Sequence, residues 1–491
     1  ALSHYLDGDL YMLQDDYRKA AASYEMALRF DTTSATIYLG LAEALLNDGR
    51  PKMSFKAAER AQKLEPEDPR VYQFLARNAM ARNDNSAAID YLDKWALYAP
   101  ESVDPLFKKA AIFIGLKRFE EAVDTYLIIY DKDPTQRHVL ERAGEISLSL
   151  GDLERAYQTY QRLSKALPED GAVARTFAEI ILRSERHEEA LKVFEWLVET
   201  GNATATTRLQ LAWLYRRLDR LSDSQAVLSS LLDDGQRQWD VLSMAGQVAS
   251  QLDDYSKLAA ISQLMIETYP DSVGGYTGLA IAKAFTKDED GAISILEEAL
   301  PRFKKNIDAN YLLGNLYHST KRYDDAVQHL LIALRQRPTA RYIQKLLASA
   351  WSGAAKYQES DSLYEELLQS AEEDPVILNN YAYSLAERPE VSKKQLKYAK
   401  ALSRKSIKHV KDSSSFLDTY GWIYYRLGNY RKAKKYIAAS LAIDEANATV
   451  LEHMAKVYEN LGKPADAQEF YIKAAQQRED KKNQAIGVKN E

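Results

Sequence analysis

Histidine and the carboxylates are the residue types in this chain that could do chemistry. The chain has seven histidines and no cysteine. Without cysteine there is no thiolate nucleophile, no thiolate metal ligand and no disulfide. No two histidines stand four residues apart, the spacing that places two metal ligands on one helix face. Adjacent carboxylates such as Glu120 and Glu121 are typical of a solvated helix surface, and no phosphate-binding loop or nucleophile elbow occurs. We therefore predict no catalytic residue, no cofactor, no metal site and no enzymatic activity.

Positive charge is concentrated between residues 391 and 436, which carry thirteen Lys or Arg and two acids, a net charge of +11. The whole chain has a net charge of −6, so the remainder carries −17. Six of these cations recur at spacings of three and four, which predicts one face of a helix: Lys393, Lys397, Lys400, Arg404, Lys408 and Lys411. Two interpretations stay open: a solvated helix face, or a surface for a polyanion or an anionic membrane. Nucleic acid is the less favoured polyanion because the whole chain is acidic.

A period of 34 residues organises the elements that must position all of these groups. Position 8 of the period is Gly or Ala in all fourteen copies, and position 20 is Ala or Ser in thirteen of fourteen. A small residue midway along each of two helices lets their backbones approach closely. Proline recurs at position 32, as Pro66, Pro100 and Pro134, where it stops the preceding helix. Each period therefore predicts two amphipathic helices joined by a short turn.

The copies divide the chain into four stretches. Residues 1–374 hold eleven ungapped copies, and residues 375–413 hold one copy of 39 residues, whose five extra residues we place between its helices, in the sequence ERPEVSK. Residues 414–481 hold two further copies, and residues 482–491 form a polar tail that we expect to fray. Because a repeat array has one continuous core, counting globular domains by length does not apply.

The small residues at positions 8 and 20, an aromatic at position 24 and proline at position 32 resemble the tetratricopeptide repeat. The resemblance covers residues 1 to about 481. It implies an α-α superhelix, a solenoid of about fourteen helix-turn-helix repeats whose first helices line a concave groove and whose second helices form the convex face. In this family, positions 2, 5, 9, 12 and 13 face the groove. The resemblance thereby implies these candidate partner-binding residues, expected to be exposed: Trp213, Arg216, Arg217, Tyr311, Asn315, Tyr342, Asn379, Tyr383, Trp422, Tyr425 and Arg426.

The leading functional hypothesis is a non-enzymatic scaffold that binds a peptide or protein in its groove. The sequence resembles long bacterial arrays, which implies a role in assembling a bacterial envelope, secretion or export complex. One alternative is polyanion or anionic-surface binding through residues 391–436. Another is an accessory array of a carbohydrate export or processing system, with groove aromatics stacking on sugars. Capture of a C-terminal carboxylate is disfavoured because Tyr383 replaces one of the polar residues that such sites use.

The sequence gives weaker indications of location. No apolar run approaches the roughly 18 residues of a membrane span. The chain begins with Ala and with the repeat pattern already under way, so we expect a mature or trimmed form. A chain without cysteine fits a periplasmic or outer-membrane-associated protein, peripheral membrane association included, and the cytoplasm is the alternative. Neither the oligomeric state nor the identity of the partner follows from the sequence.

Overall fold

The computed structural model describes residues 1–370 and 374–487, with the backbone alone for 480–487. The regular structure of these residues consists of twenty-eight α-helices and no strand. The helices alternate as first and second members of fourteen pairs, so the predicted all-α fold of helix-turn-helix repeats is confirmed. None of the described helices is both long and apolar enough to cross a membrane.

The chain forms two compact units, Ala1–Leu214 and Tyr215–Glu491. The first unit contains six complete pairs: α1 (Leu2–Leu13), α2 (Tyr17–Leu28), α3 (Ala35–Asn47), α4 (Pro51–Leu64), α5 (Pro69–Ala81), α6 (Asn85–Tyr98), α7 (Asp104–Gly115), α8 (Phe119–Lys132), α9 (His138–Leu150), α10 (Leu153–Ala166), α11 (Gly171–Arg183) and α12 (His187–Glu199). The boundary between the units falls inside the next helix, α13 (Ala205–Arg217).

The second unit continues the alternation of first and second helices. Its complete helices are α14 (Leu221–Asp233), α15 (Trp239–Gln251), α16 (Tyr255–Thr268), α17 (Val273–Phe285), α18 (Glu289–Ala299), α19 (Ile307–Ser319), α20 (Tyr323–Gln336), α21 (Arg341–Gly353), α22 (Tyr357–Ser370), α23 (Pro375–Glu387), α24 (Lys393–His409), α25 (Ser414–Arg426), α26 (Tyr430–Leu441), α27 (Ala448–Asn460) and α28 (Pro464–Gly487). The last helix runs to Gly487, so residues 482–487 of the predicted polar tail are helical, and residues 488–491 lie outside the described residues.

The small residues of the period hold the two helices of each pair together. Ser54 and Ser360 both stand at position 20 and are fully buried. Their hydroxyls donate across the pair to the carbonyls of Ala42 and Ala348 at position 8, at 2.7 and 2.8 Å. Only a short side chain lets the second helix come this close to the backbone of the first. The recurring small residues therefore set the distance between paired helices.

The turn within each pair depends on one residue in the left-handed conformation. It stands at position 15 and has φ between 55° and 78° in thirteen pairs: Asp15, Gly49, Asn83, Lys117, Gly151, Glu185, Asp219, Asp253, Lys287, Lys321, Ala355, Gly428 and Gly462. The following amide then folds back onto the first helix, as Asp84 does onto the Ala79 carbonyl at 2.9 Å. This geometry reverses the chain in three residues.

The twelfth pair departs from this turn because its position 15 is Pro389. The proline ring fixes φ near −65°, so the left-handed turn cannot form there. The chain instead leaves α23 through Arg388 in an extended conformation, and the loop has five residues in place of three. The expectation that all five extra residues lie between the helices was therefore wrong in part. Only two lengthen the loop, and α24 takes up the rest, with 17 residues where most second helices have 12 to 14.

Candidate functional site

A polar groove of about 820 Å³ lies in the second unit and is the best-supported site there. We call it the second-unit groove. Most of its lining comes from successive first helices, which bring together the polar residues at positions 5 and 6 of three consecutive periods. These residues are Asn379, Asn380, Asp418, Thr419, Glu452 and His453.

Asn379 lies in the lining of this groove with only 6% of its surface exposed. Its amide nitrogen has one long contact, 3.4 Å to the Asn380 side-chain oxygen. Its own side-chain oxygen, Oδ1, has no hydrogen-bond partner among the described residues. A buried polar atom without a partner costs about 1–3 kcal/mol. A ligand that donated a hydrogen bond to this atom would recover that free energy.

The neighbouring Asp418 and His453 form a buried pair in the same lining. The His453 Nδ1 atom is 3.0 Å from both carboxylate oxygens, and both side chains are less than a tenth exposed. The imidazole also stacks on the Trp422 ring, with centroids 4.0 Å apart. The charge of Asp418 is therefore engaged within the protein, and the pair makes a rigid wall for the groove.

Trp422 was predicted to be exposed to a partner, and this prediction was wrong. The side chain is 6% exposed because His453 covers one face of its ring and Tyr425 covers the other, at a centroid distance of 4.6 Å. Tyr425 itself is half-buried, and its hydroxyl accepts a hydrogen bond from Asn460 at 3.2 Å. Both aromatic rings therefore support the wall of the groove from inside the protein.

Arg426 was also predicted to contact a partner, but its guanidinium is used within the fold. It donates to the carbonyl oxygens of Ala386 and Arg388, at 2.5 and 2.7 Å. These carbonyls lie at the end of α23, where Pro389 has removed the usual turn. The Arg388 side chain is itself buried, and it forms an ion pair with Asp361. Arg426 therefore caps a helix and closes the exceptional loop.

Tyr383 is the predicted aromatic residue that does line the second-unit groove. It is half-buried, and burial raises the pKa of its hydroxyl, helped by the negative charges of Glu387 and Asp418. The hydroxyl therefore stays protonated at neutral pH and is available as a donor. Tyr383 and Asn379 are therefore the predicted partner-binding residues that line the groove.

The predicted residues around Trp213 fall in different units. Trp213 lies in the first unit, is 38% exposed and packs near the His187 ring at a centroid distance of 5.8 Å. Arg216 lies in the second unit, and its guanidinium donates to the side-chain oxygens of Gln247 and Gln251 at 2.8 and 2.9 Å. Arg217 is exposed. Arg216 therefore links its own period to the next one, which leaves fewer of its N–H groups free to bind a partner.

The remaining predicted residues lie on α19 and α21. The rings of Tyr311 and Tyr342 meet edge to face with centroids 4.8 Å apart. Tyr342 is 40% exposed and Asn315 is exposed, whereas burial raises the pKa of Tyr311. None of these three residues belongs to the lining of the second-unit groove, as the structure describes it.

The lining of the groove also contains polar groups outside the predicted partner-binding set. His318 lies in its lining with Nε2 2.8 Å from the Ser349 hydroxyl, and burial lowers its pKa. The hydroxyls of Ser352 and Ser384 lie 2.6 Å apart in the same lining. The signal that was present is the run of polar residues at positions 5 and 6 of the last three periods. It was overlooked because those positions were searched mainly for aromatic residues and arginine.

The first unit has a groove of its own, of about 900 Å³. Its lining includes Tyr24, whose hydroxyl donates to Asp9 at 2.6 Å, and Arg77, which pairs with Glu43 at 2.7 Å. The polar groups named here are satisfied by one another. This groove therefore gives a weaker indication of a ligand than the unpaired Asn379 does. Within the described residues no cluster of three or more His, Asp or Glu side chains could hold a metal ion.

Comparison with known protein families gives independent evidence for the family of this chain. Models described as tetratricopeptide repeat match residues 5–69 and 75–137, residues 286–350, and residues 415–447 and 448–481. Together these matches cover just over half of the chain. They fall in both compact units.

Two curated proteins are similar to nearly the whole chain or most of it. The TPR repeat-containing protein MJ1428 of Methanocaldococcus jannaschii is 24% identical over 484 residues, which cover 95% of this chain and 74% of that protein. The BBSome complex member BBS4 of Bos taurus is 22% identical over 409 residues, covering 80% and 72%. Among solved structures, the APC/C hetero-tetramer Cut9–Hcn1 matches with a TM-score of 0.40 and 13% identity, covering 99% of this chain and 96% of that one.

Proposed function

The chain belongs to the tetratricopeptide repeat family, and from that premise we propose that it is a non-enzymatic scaffold that binds an extended peptide segment of a protein partner in the second-unit groove. The observation that carries this proposal is the Oδ1 atom of Asn379, which is buried, unpaired among the described residues and part of the groove lining. A peptide backbone presents N–H donors at regular intervals, and one of them would satisfy this atom.

The other groups of the groove suit a peptide backbone as well. The Asn380 amide is neutral, and the hydroxyls of Ser384 and Thr419, which bond to Ser352 and to the Ser415 carbonyl, keep lone pairs that can accept from the N–H groups of an extended chain. Two carboxylates of the lining are already engaged, Asp418 by His453 and Glu452 by Arg478. Main-chain hydrogen bonds therefore supply much of the affinity, and the Tyr383 ring supplies contact area for a side chain.

The experiment begins with selection of binding peptides from a random library displayed on phage, using the full chain as bait. The dissociation constant of the selected peptides is then measured by calorimetry for the parent chain and for Asn379→Ala. We expect Asn379→Ala to weaken binding about tenfold, because a lost hydrogen bond of about 1.4 kcal/mol changes a dissociation constant by that factor.

The matched control is Gln328→Ala, which removes a side-chain amide from an exposed position on α20, in the same unit and outside the groove lining. We expect its affinity to stay within about twofold of the parent value. Failure of the library to yield a binder, or equal losses in the two variants, would reject the groove as the peptide site.

We further propose that the partner belongs to an envelope, secretion or export assembly, and that the protein works in the periplasm or at the outer membrane. The support is the resemblance of the repeats to long bacterial arrays and the lack of cysteine in the chain. Cell fractionation of the native host followed by immunoblotting tests the location. Recovery of the protein with cytoplasmic markers alone would exclude this setting and leave the groove proposal standing.

A further inference from the structure

The basic residues on α24 and α26 form a surface that the proposed groove function does not use. The surface comprises seven cations on α24, Lys411 just beyond it and four cations on α26: Lys393, Lys394, Lys397, Lys400, Arg404, Lys405, Lys408, Lys411, Arg431, Lys432, Lys434 and Lys435. Ten of the twelve are exposed, and Lys400 and Lys434 are half-buried. We call this set the basic surface.

The two helices of the basic surface carry no acidic residue of their own. Every other second helix in the described part of the chain contains at least one Asp or Glu. None of the twelve cations forms an ion pair with another described residue. Elsewhere, cations on second helices are paired with the preceding second helix, as Arg155 is with Asp124 and Arg162 with Asp131.

Several of these cations cost stability within the chain. Lys393 and Lys394 stand in the first turn of α24, where positive charge opposes the helix dipole. Arg404 lies four residues from both Lys400 and Lys408, and like charges at that spacing each cost about 0.2–0.5 kcal/mol. The positive charge is therefore not explained by the folding of these helices.

Tyrosine rings hold several of these cations in a defined place. The Lys400 and Lys432 ammoniums, from α24 and α26, lie 5.8 and 5.4 Å from the centre of the same ring, that of Tyr424. The Tyr424 ring lies parallel to the Tyr436 ring at 5.8 Å, and Lys435 sits 5.8 Å from the centre of that second ring. The cations of the two helices therefore converge on one tyrosine cluster, as a continuous positive surface.

We propose that the basic surface binds a carboxylate-rich, acidic segment of a protein. The surface is only two helices wide and about 25 Å long, from the 1.5 Å rise per residue of α24. The second helices on either side of it in chain order carry exposed carboxylates, Glu359 and Glu366 on α22 and Glu469, paired with Lys473, on α28. A flat anionic membrane or a long nucleic acid would also press against these flanking carboxylates, whereas a short acidic segment fits between them.

The type of cation agrees with this choice. Ten of the twelve cations are lysine. Lysine acts as a point charge on a flexible stem, whereas arginine provides the planar fork that recognises phosphate with two parallel hydrogen bonds. A lysine surface therefore attracts a mobile row of carboxylates without fixing its register. It does so independently of the second-unit groove, because its residues are not part of that groove's lining.

The test uses the full chain and a fluorescent peptide of alternating glutamate and serine, with binding followed by fluorescence anisotropy. The variant replaces Lys397, Lys400, Arg404 and Lys432 together by glutamine. We expect it to bind the peptide at least about tenfold more weakly than the parent chain, because several cations that set the local potential are lost. Parent binding is expected to weaken as salt is raised from about 50 to about 200 mM.

A matched control replaces Lys52, Lys56, Arg60 and Lys63 on α4 by glutamine, which removes the same charges from exposed positions in the first unit. We expect its affinity to stay within about twofold of the parent value. Circular dichroism melting shows whether both variants fold, and relief of like-charge repulsion predicts no loss of stability in the first variant.

Further probes decide between this proposal and the other anionic partners. The same peptide with glutamine for glutamate should not bind. A single-stranded oligonucleotide and vesicles of equimolar phosphatidylcholine and phosphatidylglycerol should bind more weakly than the acidic peptide. Tighter binding of either probe, no binding of the acidic peptide, or equal losses in the two variants would overturn the proposal.

Discussion

At the scale of single residues, Arg426 closes the loop that Pro389 makes necessary. Its guanidinium caps two carbonyl oxygens at the end of α23. We expect Arg426→Ala to lower the free energy of unfolding by about 3 kcal/mol or more, because two hydrogen bonds from a charged donor are lost and each contributes about 1.5–3 kcal/mol. Arg426→Lys should recover only part of this, since an ammonium lacks the fork that reaches both carbonyls. Urea denaturation measures both, and an unchanged midpoint for Arg426→Ala would refute the capping role.

His318 makes stability depend on pH. Burial lowers its pKa below the ordinary value of 6.5, so the folded state favours the neutral ring. Above that value the stabilisation is fully present. As the pH falls through about 6.5 the unfolded state takes up a proton first, and stability declines.

The check compares the parent chain with His318→Gln, which keeps a polar group beside Ser349. Urea denaturation at about pH 7.5 and about pH 5.5 gives the loss for each chain. We expect the parent to lose more free energy of unfolding than the variant does. His329 also has a pKa lowered by burial and contributes equally to both chains, so the difference isolates His318. Equal losses of unfolding free energy in the two chains would show that His318 does not cause the pH dependence.

The repeat pattern indicated which positions face the groove but not which side chains stay accessible there. Tyr383 lines the groove and is half-buried, whereas Trp422, at the same position of the next period, is buried and does not line it. The difference arises because the ring that covers Trp422 belongs to His453 in the next period. Burial at a groove position depends on side chains 30 or more residues away, and a residue's own period carries no information about them.

At the scale of the helix pair, the small residue at position 8 has a cost that depends on what faces it. A Cβ atom at Gly421 would come within 2.6 Å of an Ile437 side-chain carbon and 3.0 Å of the Ile437 backbone nitrogen. At Gly246, in the same position of another period, the nearest atoms are 3.7 Å away, on Leu258. One substitution therefore tests two packing distances.

We expect Gly421→Ala to lower the free energy of unfolding by about 1–3 kcal/mol, because the added methyl must push a helix backbone aside. Gly246→Ala should instead be neutral or raise it by up to about 1 kcal/mol, because the methyl fits and alanine favours the helix. Thermal melting of both variants, followed by circular dichroism, gives the comparison. Destabilisation of similar size in both would show that the position requires glycine for a reason other than the distance to the second helix.

The helices themselves were predictable because a period of 34 residues with two small positions has few other physical explanations. The departure at the twelfth pair was predictable only in part. Extra residues were visible as a shift of the period, and Pro389 marked the end of α23. The extension of α24 could not be predicted from the sequence, because Lys393 and Lys394 are compatible with either a loop or a helix. The capping box of Ser392 and Gln395 settles the start of that helix.

At the scale of the whole molecule, the buried side chains form separate clusters along the chain. One cluster in the first unit runs from Ala20 to Ile112, and another in the second unit runs from Ala280 to Ile423. In a repeat array, stability is close to a sum over repeats and their nearest-neighbour contacts. A core defect should therefore loosen its own neighbourhood and leave distant repeats as they were, so single-transition unfolding need not hold.

Leu75→Ala provides the test, since Leu75 is fully buried in the first of these clusters. The cavity should cost about 2–5 kcal/mol locally. We expect amide hydrogen exchange to accelerate in α3 to α8 and to stay unchanged in α19 to α27, because exchange reports the opening of each cooperative region. Leu313→Ala, at an equally buried site of the second cluster, should give the reciprocal pattern. Uniform acceleration along the chain in either variant would mean that the two clusters unfold as one.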